Sequence, residues 1–520
     1  MTDNNQDILI IGTGIAGLSA ALSAAENGFN VTVLSKSHDI SDCNTSLAQG
    51  GIVGPAENDS PELLASDITI AGDGLNFENA LREFSEHAPF LVKSVLQDKC
   101  GVDFTLDSSG KPDLTKEAAH SVRRIYYSKD RSGKAVHSGL LNKVKQNKRI
   151  KILGGKMAVD IITINHHSTD HNDRYRKNRA AGAYVLDVSS GEVHTYLSPV
   201  TVIAAGGIGR IYRYTSNPPG ATGDGIAMAY RAGVPVINAE FVQFHPTTLF
   251  HRDFPNFLIS ETLRGEGAVL LNKAGQPFMH KYNNKLKELA PRDEVSRAIY
   301  FEMEERGDSH VFLDASVLKN IDPAERFPGI YSTCLSAGID MRNEPVPVVP
   351  AAHYFCGGIK ASLNGETDLA GLYALGESAC TGIHGANRLA SVSLLEGLYS
   401  GISFGQSVAE KFLPLRPYLK KSIPDWISPS EEADPAHIRN DLENVQSVMW
   451  NYVGISRTVK RMQRALSDLD YLNHRIYRFY REARPSRALI EMRNAALCAS
   501  VIARSAIADS ISRGCHYLSK

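Results

Sequence analysis

The strongest constraint on the fold lies at the N-terminus, where the apolar run Ile8-Leu9-Ile10-Ile11 leads straight into Gly12-Thr13-Gly14-Ile15-Ala16-Gly17. Consecutive apolar residues without polar alternation fit a strand buried on both faces, as in a parallel sheet. Beyond the glycines, Leu18, Ala21, Leu22 and Ala25 recur at helical spacing until Gly28, and Phe29 to Leu34 reads as a second strand. In this strand, turn, helix, strand order the three glycines have separate uses. Gly12 permits the tight turn, Gly14 lets the backbone approach a pyrophosphate, and Gly17 lets helix and sheet pack closely. The helix N-terminus then faces the anion. The unit predicts a dinucleotide-binding domain; without the flanking strands the same spacing would be an ordinary glycine turn.

At the end of the second strand the chain departs from the common pattern. Folds of this kind usually carry an acid there to accept ribose hydroxyls, but Leu34 is followed by Ser35 and Lys36. Lys36 either reaches an adenylate group or is a solvated strand-end lysine. Two later segments return to the same sheet: Val200 to Ala205 runs into Gly206-Gly207-Ile208-Gly209, and Gly371 to Gly376 forms a short strand ending on Glu377, which can supply the missing hydroxyl acceptor. Strands that return so late predict one discontinuous nucleotide-binding domain over residues 1–239 and 351–412.

The chain's 520 residues exceed one compact core. Residues 240–350 read as an inserted α+β capping domain, and five prolines at 414, 417, 424, 429 and 435 mark 413–437 as a linker. Beyond it, Leu442, Val445, Met449, Tyr452, Val459, Met462, Leu466 and Leu469 fall near helical spacing, and a second long helix runs from about Ser486 to Arg513. Residues 438–520 are therefore expected to form a C-terminal helical bundle on the Rossmann-like α/β domain. Between Arg457 and Arg513 twelve basic residues face five acidic ones, either a docking face or a solvated helix surface. His166, His167 and His171 lie in a polar stretch that reads as a surface hairpin rather than a metal site.

Fifty-six Lys and Arg against 57 Asp and Glu leave a net charge of -1, so no overall field draws the chain to nucleic acid or an anionic membrane. The seven cysteines show no metal-ligand spacing, which argues against a disulfide framework, zinc or an iron–sulfur cluster and fits a reducing cytoplasm. Ile8 to Ala25 is apolar enough to suggest a signal peptide or membrane span. The absence of positive charge before it and the glycines within it favour the nucleotide-binding reading.

Further motifs bring a family into view. They are Ser46-Leu47-Ala48-Gln49-Gly50-Gly51, Thr222-Gly223-Asp224-Gly225, Gln243-Phe244-His245-Pro246-Thr247, Leu263-Arg264-Gly265-Glu266-Gly267, Pro291-Arg292-Asp293, His353-Tyr354 and His384-Gly385-Ala386-Asn387-Arg388. In order and spacing the chain resembles the succinate dehydrogenase and fumarate reductase flavoprotein family over nearly its whole length, and within it the members that oxidise aspartate. The resemblance implies that the α/β domain binds FAD through Thr13 to Ala16, Lys36, Asn44, Thr45, Ser46 to Gly51, backbone near Ala158 and Val159, Asp224, Glu377, Ser393 and Leu394. Membrane-complex members attach FAD through a histidine five residues before the glutamine of the QGG motif. Asn44 stands there and has no nucleophilic ring nitrogen, so non-covalent FAD is expected.

By the same resemblance His245, Ser260, Glu261, His353 and Arg388 belong to the substrate site, and Arg292 transfers the proton when fumarate is reduced. An arginine at a helix N-terminus opposes the helix dipole, so Arg292 is held either by Asp293 or Glu266, or by a bound dicarboxylate. Glu117 corresponds to a glutamate that contacts the substrate amino group; otherwise it is a surface residue paired with Arg123 or Lys116. Ala118 and Ala119 replace glycines that are common in this segment. The implied function is oxidation of L-aspartate to iminoaspartate by hydride transfer to flavin N5. Oxygen or fumarate would reoxidise the flavin, and transient contact with quinolinate synthase would serve NAD biosynthesis. The alternatives are a soluble fumarate reductase or succinate dehydrogenase flavoprotein subunit, and a non-catalytic FAD-bound redox sensor.

Overall fold

A computed structural model describes residues 6–254, 257–318 and 321–519. In chain order, strand β1 (Ile8–Ile11) leads through helix α1 (Ile15–Glu26) to β2 (Val31–Leu34), followed by β3 (Ile150–Leu153) and β4 (Val200–Ile203). Helix α2 (Asp224–Arg231) precedes β5 (Val242–Leu249), and α3 (Glu261–Gly265) leads to β6 (Val269–Leu271). Helix α4 (Arg292–Arg306), β7 (Val311–Asp314) and β8 (Val346–Phe355) complete this middle region. The chain returns with β9 (Leu372–Ala374) and α5 (Ser393–Lys411), then ends in α6 (Pro435–Tyr452), α7 (Val459–Glu482) and α8 (Arg487–Ala508).

The first sheet has the order β9-β4-β1-β2-β3 and is parallel throughout. Its alternating side chains serve two cores. Ile8, Ile10, Val33 and Val202 pack on α1 and α5 with Ala20, Ala24 and Phe404. Leu9, Ile11, Leu34 and Ile203 face Val159, Val185 and the C-terminal bundle. Helix α5 lies close on α1 because Gly397, Gly401 and Gly405 recur every fourth residue; a Cβ on Gly401 would stand 2.7 Å from the Ala16 carbonyl oxygen. This contact aims the start of α5 at the glycine turn.

A second, antiparallel sheet of order β5-β8-β7-β6 packs on α4 and carries the middle of the chain. The expected border at 350/351 falls inside β8, whose register with β5 continues to Phe355 opposite Val242. The cap and the nucleotide-binding domain therefore share a strand. The expected linker also ends earlier than 437: Asp434 caps α6, and Pro435 occupies its first turn, where a missing N–H costs nothing. Helix α8 stops at Ala508 rather than near Arg513, and the tail folds back through bridges of Arg513 with His516 and Arg457 with Leu518.

The basic stretch in the bundle is largely consumed internally. Arg475 pairs with Asp441, Arg484 with Glu432 and Arg504 with Asp470, while Arg457 is fully buried. His166 and His167 lie in the connection between the antiparallel strands Lys156–Thr163 and Ala180–Asp187. Among the described residues, no helix is long and apolar enough to cross a membrane.

Candidate functional site

Gly12 adopts φ 121°, and a Cβ there would stand 2.0 Å from the Ala204 carbonyl oxygen. Only glycine lets β1 turn this sharply against β4. Gly14 is the N-cap of α1 and offers no side chain to the helix amides. Thr45 Oγ1 accepts from the Ile15 amide at 3.0 Å; a helix start without its own side-chain cap is suited to an anion. From this turn one continuous cleft passes Lys36, Asn44, Leu47 to Gly51, Ala158, Asp224, Glu377, Ser393 and Leu394. It ends at Glu117, His245, Ser260, Glu261, Arg292, His353 and Arg388.

Three expected cofactor residues do not line this cleft. Gly17 packs under the turn, where a Cβ would approach the Gly12 carbonyl oxygen to 2.1 Å. The Ser46 hydroxyl lies 3.5 Å from Cys43 Sγ. Val159 is fully buried, pointing away from the cleft as the strand neighbour of Ala158, and its carbonyl accepts from Arg231 and Arg493.

At the end of β2, Lys36 is neither a free strand-end lysine nor an unpaired cation. Its Nζ lies 2.5 Å from Asp224 Oδ2, 2.5 Å from the Gly220 carbonyl oxygen and 2.9 Å from Glu491 Oε1. Burial pulls its pKa down, but the Asp224 and Glu491 charges outweigh that and raise it. Glu377 lies elsewhere. It follows β9, and the order β9-β4-β1-β2 puts three strand steps between it and Lys36, about 14 Å at ordinary strand spacing. It therefore does not replace the acid missing from β2. It accepts from Asn44 Nδ2 at 3.0 Å and from the Phe355 amide at 3.1 Å, and burial pushes its pKa up to about 7.

The far end of the cleft is built by the cap and the returning segment together. Arg292 opens α4, with Nε 2.5 Å from Glu261 Oε2 and Nη1 3.4 Å from Gln243 Oε1. Neither expected partner holds it: Asp293 pairs with Arg297 and Glu266 with Arg326. Arg264 stands 3.9 Å behind Glu261. Burial would raise the Glu261 pKa, but the Arg292 and Arg264 charges outweigh it and hold the carboxyl below its usual range. Arg388 directs its nitrogens to Gln243, Ser393 and the Leu389 carbonyl, all neutral groups, and lies over the Tyr354 ring at 4.6 Å.

The His245 and His353 rings lie 5.2 Å apart. Burial, followed by the Arg292 charge, pushes both pKa values well below the usual histidine value, which favours the neutral form of each ring. His245 Nδ1 lies 3.2 Å from both the amide nitrogen and the carbonyl oxygen of Thr247, and its Nε2 is buried without a protein partner among the described residues. His353 Nδ1 meets Ser216 Oγ at 2.7 Å. Ser260 caps α3 through a 3.3 Å bond from the Thr262 amide.

Glu117 is buried rather than paired at the surface, and it accepts from Ser391 Oγ at 2.6 Å. Burial and then the Glu261 charge raise its pKa. Its loop is held by Asp67, which accepts from Ser121 and from the fully buried Arg124. Ala119 adopts φ 64°, keeping the left-handed geometry that a glycine would take there. Sequence reasoning missed Ser391 and Gln243. Gln243 opens one of the motifs above and Ser391 stands two residues before Ser393, but nothing in their spacing marks Ser391 as the partner of Glu117 or Gln243 as the bridge between Arg292 and Arg388.

A nucleotide-binding domain with a cluster of arginines and imidazoles from the cap and the returning segment at one end of its cleft fits an FAD-dependent oxidoreductase that acts on an anionic substrate. The FAD binding domain model matches residues 7–394, and the fumarate reductase flavoprotein C-terminal model matches 442–519. The chain belongs to the L-aspartate oxidase family within these FAD-dependent oxidoreductases. It is 43% identical to an L-aspartate oxidase of Acinetobacter baylyi, covering 98% of this chain and 92% of the relative. It is 37% identical to a chloroplastic L-aspartate oxidase of Oryza sativa, covering 98% and 81%. Among solved structures, a mutant of the E. coli quinol fumarate reductase FrdA superposes with a TM-score of 0.86 at 28% identity, covering 99% of this chain and 91% of that one.

Proposed function

We propose that the chain oxidises L-aspartate to iminoaspartate with non-covalently bound FAD, the first step of NAD biosynthesis from aspartate. Glu117 carries this reading. A carboxylate lining a site for a dicarboxylate repels that substrate unless a cation lies between them. The aspartate ammonium is such a cation, whereas succinate and fumarate have none.

FAD fits the cleft through the start of α1, where the N-cap Gly14 offers no side chain, and through Gln49 Oε1, a buried acceptor without a partner among the described residues. A side chain at Gly50 would stand 2.9 Å from Glu117 Oε1, so the floor between cofactor and substrate is kept bare. When bound, FAD supplies the two-electron oxidation, accepting hydride from the substrate α-carbon at N5 and passing electrons to oxygen or fumarate. Arg388 and the two neutral imidazoles hold the substrate carboxylates, with the Ser260 hydroxyl beside them. Arg292 delivers the proton when fumarate is reduced, and Glu261, with Arg264 3.9 Å beyond it, holds its guanidinium in place. Iminoaspartate is the compound that quinolinate synthase takes up, so a transient contact with that enzyme belongs to the same reading, as does a cytoplasmic setting for seven free thiols.

Anaerobic incubation with L-aspartate and fumarate should yield succinate in one-to-one ratio with the oxaloacetate and ammonia released by hydrolysis of iminoaspartate. Absence of succinate formation coupled to aspartate loss would overturn the reaction. Asn44 offers no ring nitrogen for attachment, so acid precipitation should leave the yellow cofactor in the supernatant. Flavin retained in the pellet would refute non-covalent binding.

A further inference from the structure

We propose that helix α8 of the C-terminal bundle belongs to the cofactor site, with Glu491 acting as a positioning residue for the adenosine half of FAD through Lys36. This rests on the reading of the cleft as the FAD site. The inference starts from the acid missing after β2, where a dinucleotide fold needs an acceptor for ribose hydroxyls. The structure brings two acids to that point from distant parts of the chain. Asp224 comes from the start of α2 and Glu491 from α8, and both converge on Lys36 Nζ at 2.5 and 2.9 Å. Gly220 and Thr222 add oxygens at 2.5 and 3.3 Å, so the lysine has no loose donor to wander with.

The arrangement is held from behind by the same helix. Asn494 is fully buried and donates to Asp224 Oδ1 at 2.9 Å, while its own carbonyl oxygen accepts from Arg231 at 3.0 Å, which fixes the direction of the amide. Arg487 pairs with Glu491 at 3.0 Å, one helical turn earlier. Asp224 and Glu491 balance Lys36 and Arg487 in charge, so the end of β2 is a fixed ion-pair cluster, half of it supplied from the bundle, that holds Lys36 where it lines the cleft. Because the same contacts join α8 to the nucleotide-binding domain, FAD binding and docking of the bundle should favour each other.

The test is titration of FAD-stripped protein with FAD, followed by flavin fluorescence, for Lys36→Met, Glu491→Gln and the double variant, with Arg504→Ala as a control in the same bundle. Loss of one charged contact should raise the FAD Kd about 10-fold in each single variant. The double variant should be no weaker than the worse single one, and Arg504→Ala should match wild type. Weakening by Lys36→Met with Glu491→Gln unchanged would overturn the role of α8 and leave the cleft reading standing. No effect from either would remove the end of β2 from the FAD site altogether. Amide exchange in α8 of the wild-type protein gives a second measurement independent of any variant: FAD should slow it, and unchanged exchange would overturn the proposal.

Discussion

Replacing Arg292 with leucine should lower kcat for fumarate reduction by about 10²- to 10⁴-fold, the usual contribution of a positioned proton donor, while FAD remains bound. Arg292 sits at the first residue of α4, where the helix dipole disfavours a cation, and the Glu261 carboxylate and the Gln243 carbonyl hold it there. A residue kept against that field and aimed into a cleft is suited to meeting an anion. The leucine variant also leaves Glu261 facing Arg264 alone at 3.9 Å, so some stability is lost with the pair. Arg292→Lys separates the two effects. It keeps the charge and should recover the fold, but it lacks the planar fork and should stay well below wild-type rate. Fumarate reduction at the wild-type rate by Arg292→Leu would show that the proton comes from elsewhere.

Glu117→Gln should cut kcat/KM for aspartate oxidation by about 10- to 100-fold, the value of one hydrogen bond between charged groups, and should change fumarate reduction little. The amide keeps the size of the side chain and can still meet Ser391, so the loss reports the charge rather than the shape. The pH dependence carries the same signature. Burial and Glu261 raise the Glu117 pKa, so aspartate binding should strengthen as pH rises through that raised value and the carboxyl ionises. The glutamine variant should lose this rise. Equal losses in aspartate oxidation and fumarate reduction would remove the ammonium contact from the mechanism.

How much of this was legible in the sequence depends on how local the governing interaction is. The strand, turn, helix unit at Ile8 to Leu34 and the helix opening at Arg292 were readable because each is set by neighbours within a few residues: three glycines in one case, Pro291 and a glycine stop in the other. Lys36 was half legible. Its position at the end of β2 was clear, but its partner Glu491 comes from the far end of the chain, and no spacing rule links them. Glu377 was correctly placed at the end of a returning strand, yet its reach was misread, because strand order and not strand identity decides which half of a cleft a residue faces. The 350/351 border failed for a related reason. Nothing in the alternation of Val346 to Phe355 signals that one strand serves both the cap and the domain beneath it.

Anaerobic mixing of the yellow enzyme with L-aspartate, D-aspartate or succinate tests the central claim most directly, since each differs from the others only at the ammonium group or its handedness. The account predicts that L-aspartate bleaches the flavin while D-aspartate and succinate leave it yellow. Bleaching by succinate as fast as by L-aspartate, or an oxidised flavin in the presence of L-aspartate, would contradict it.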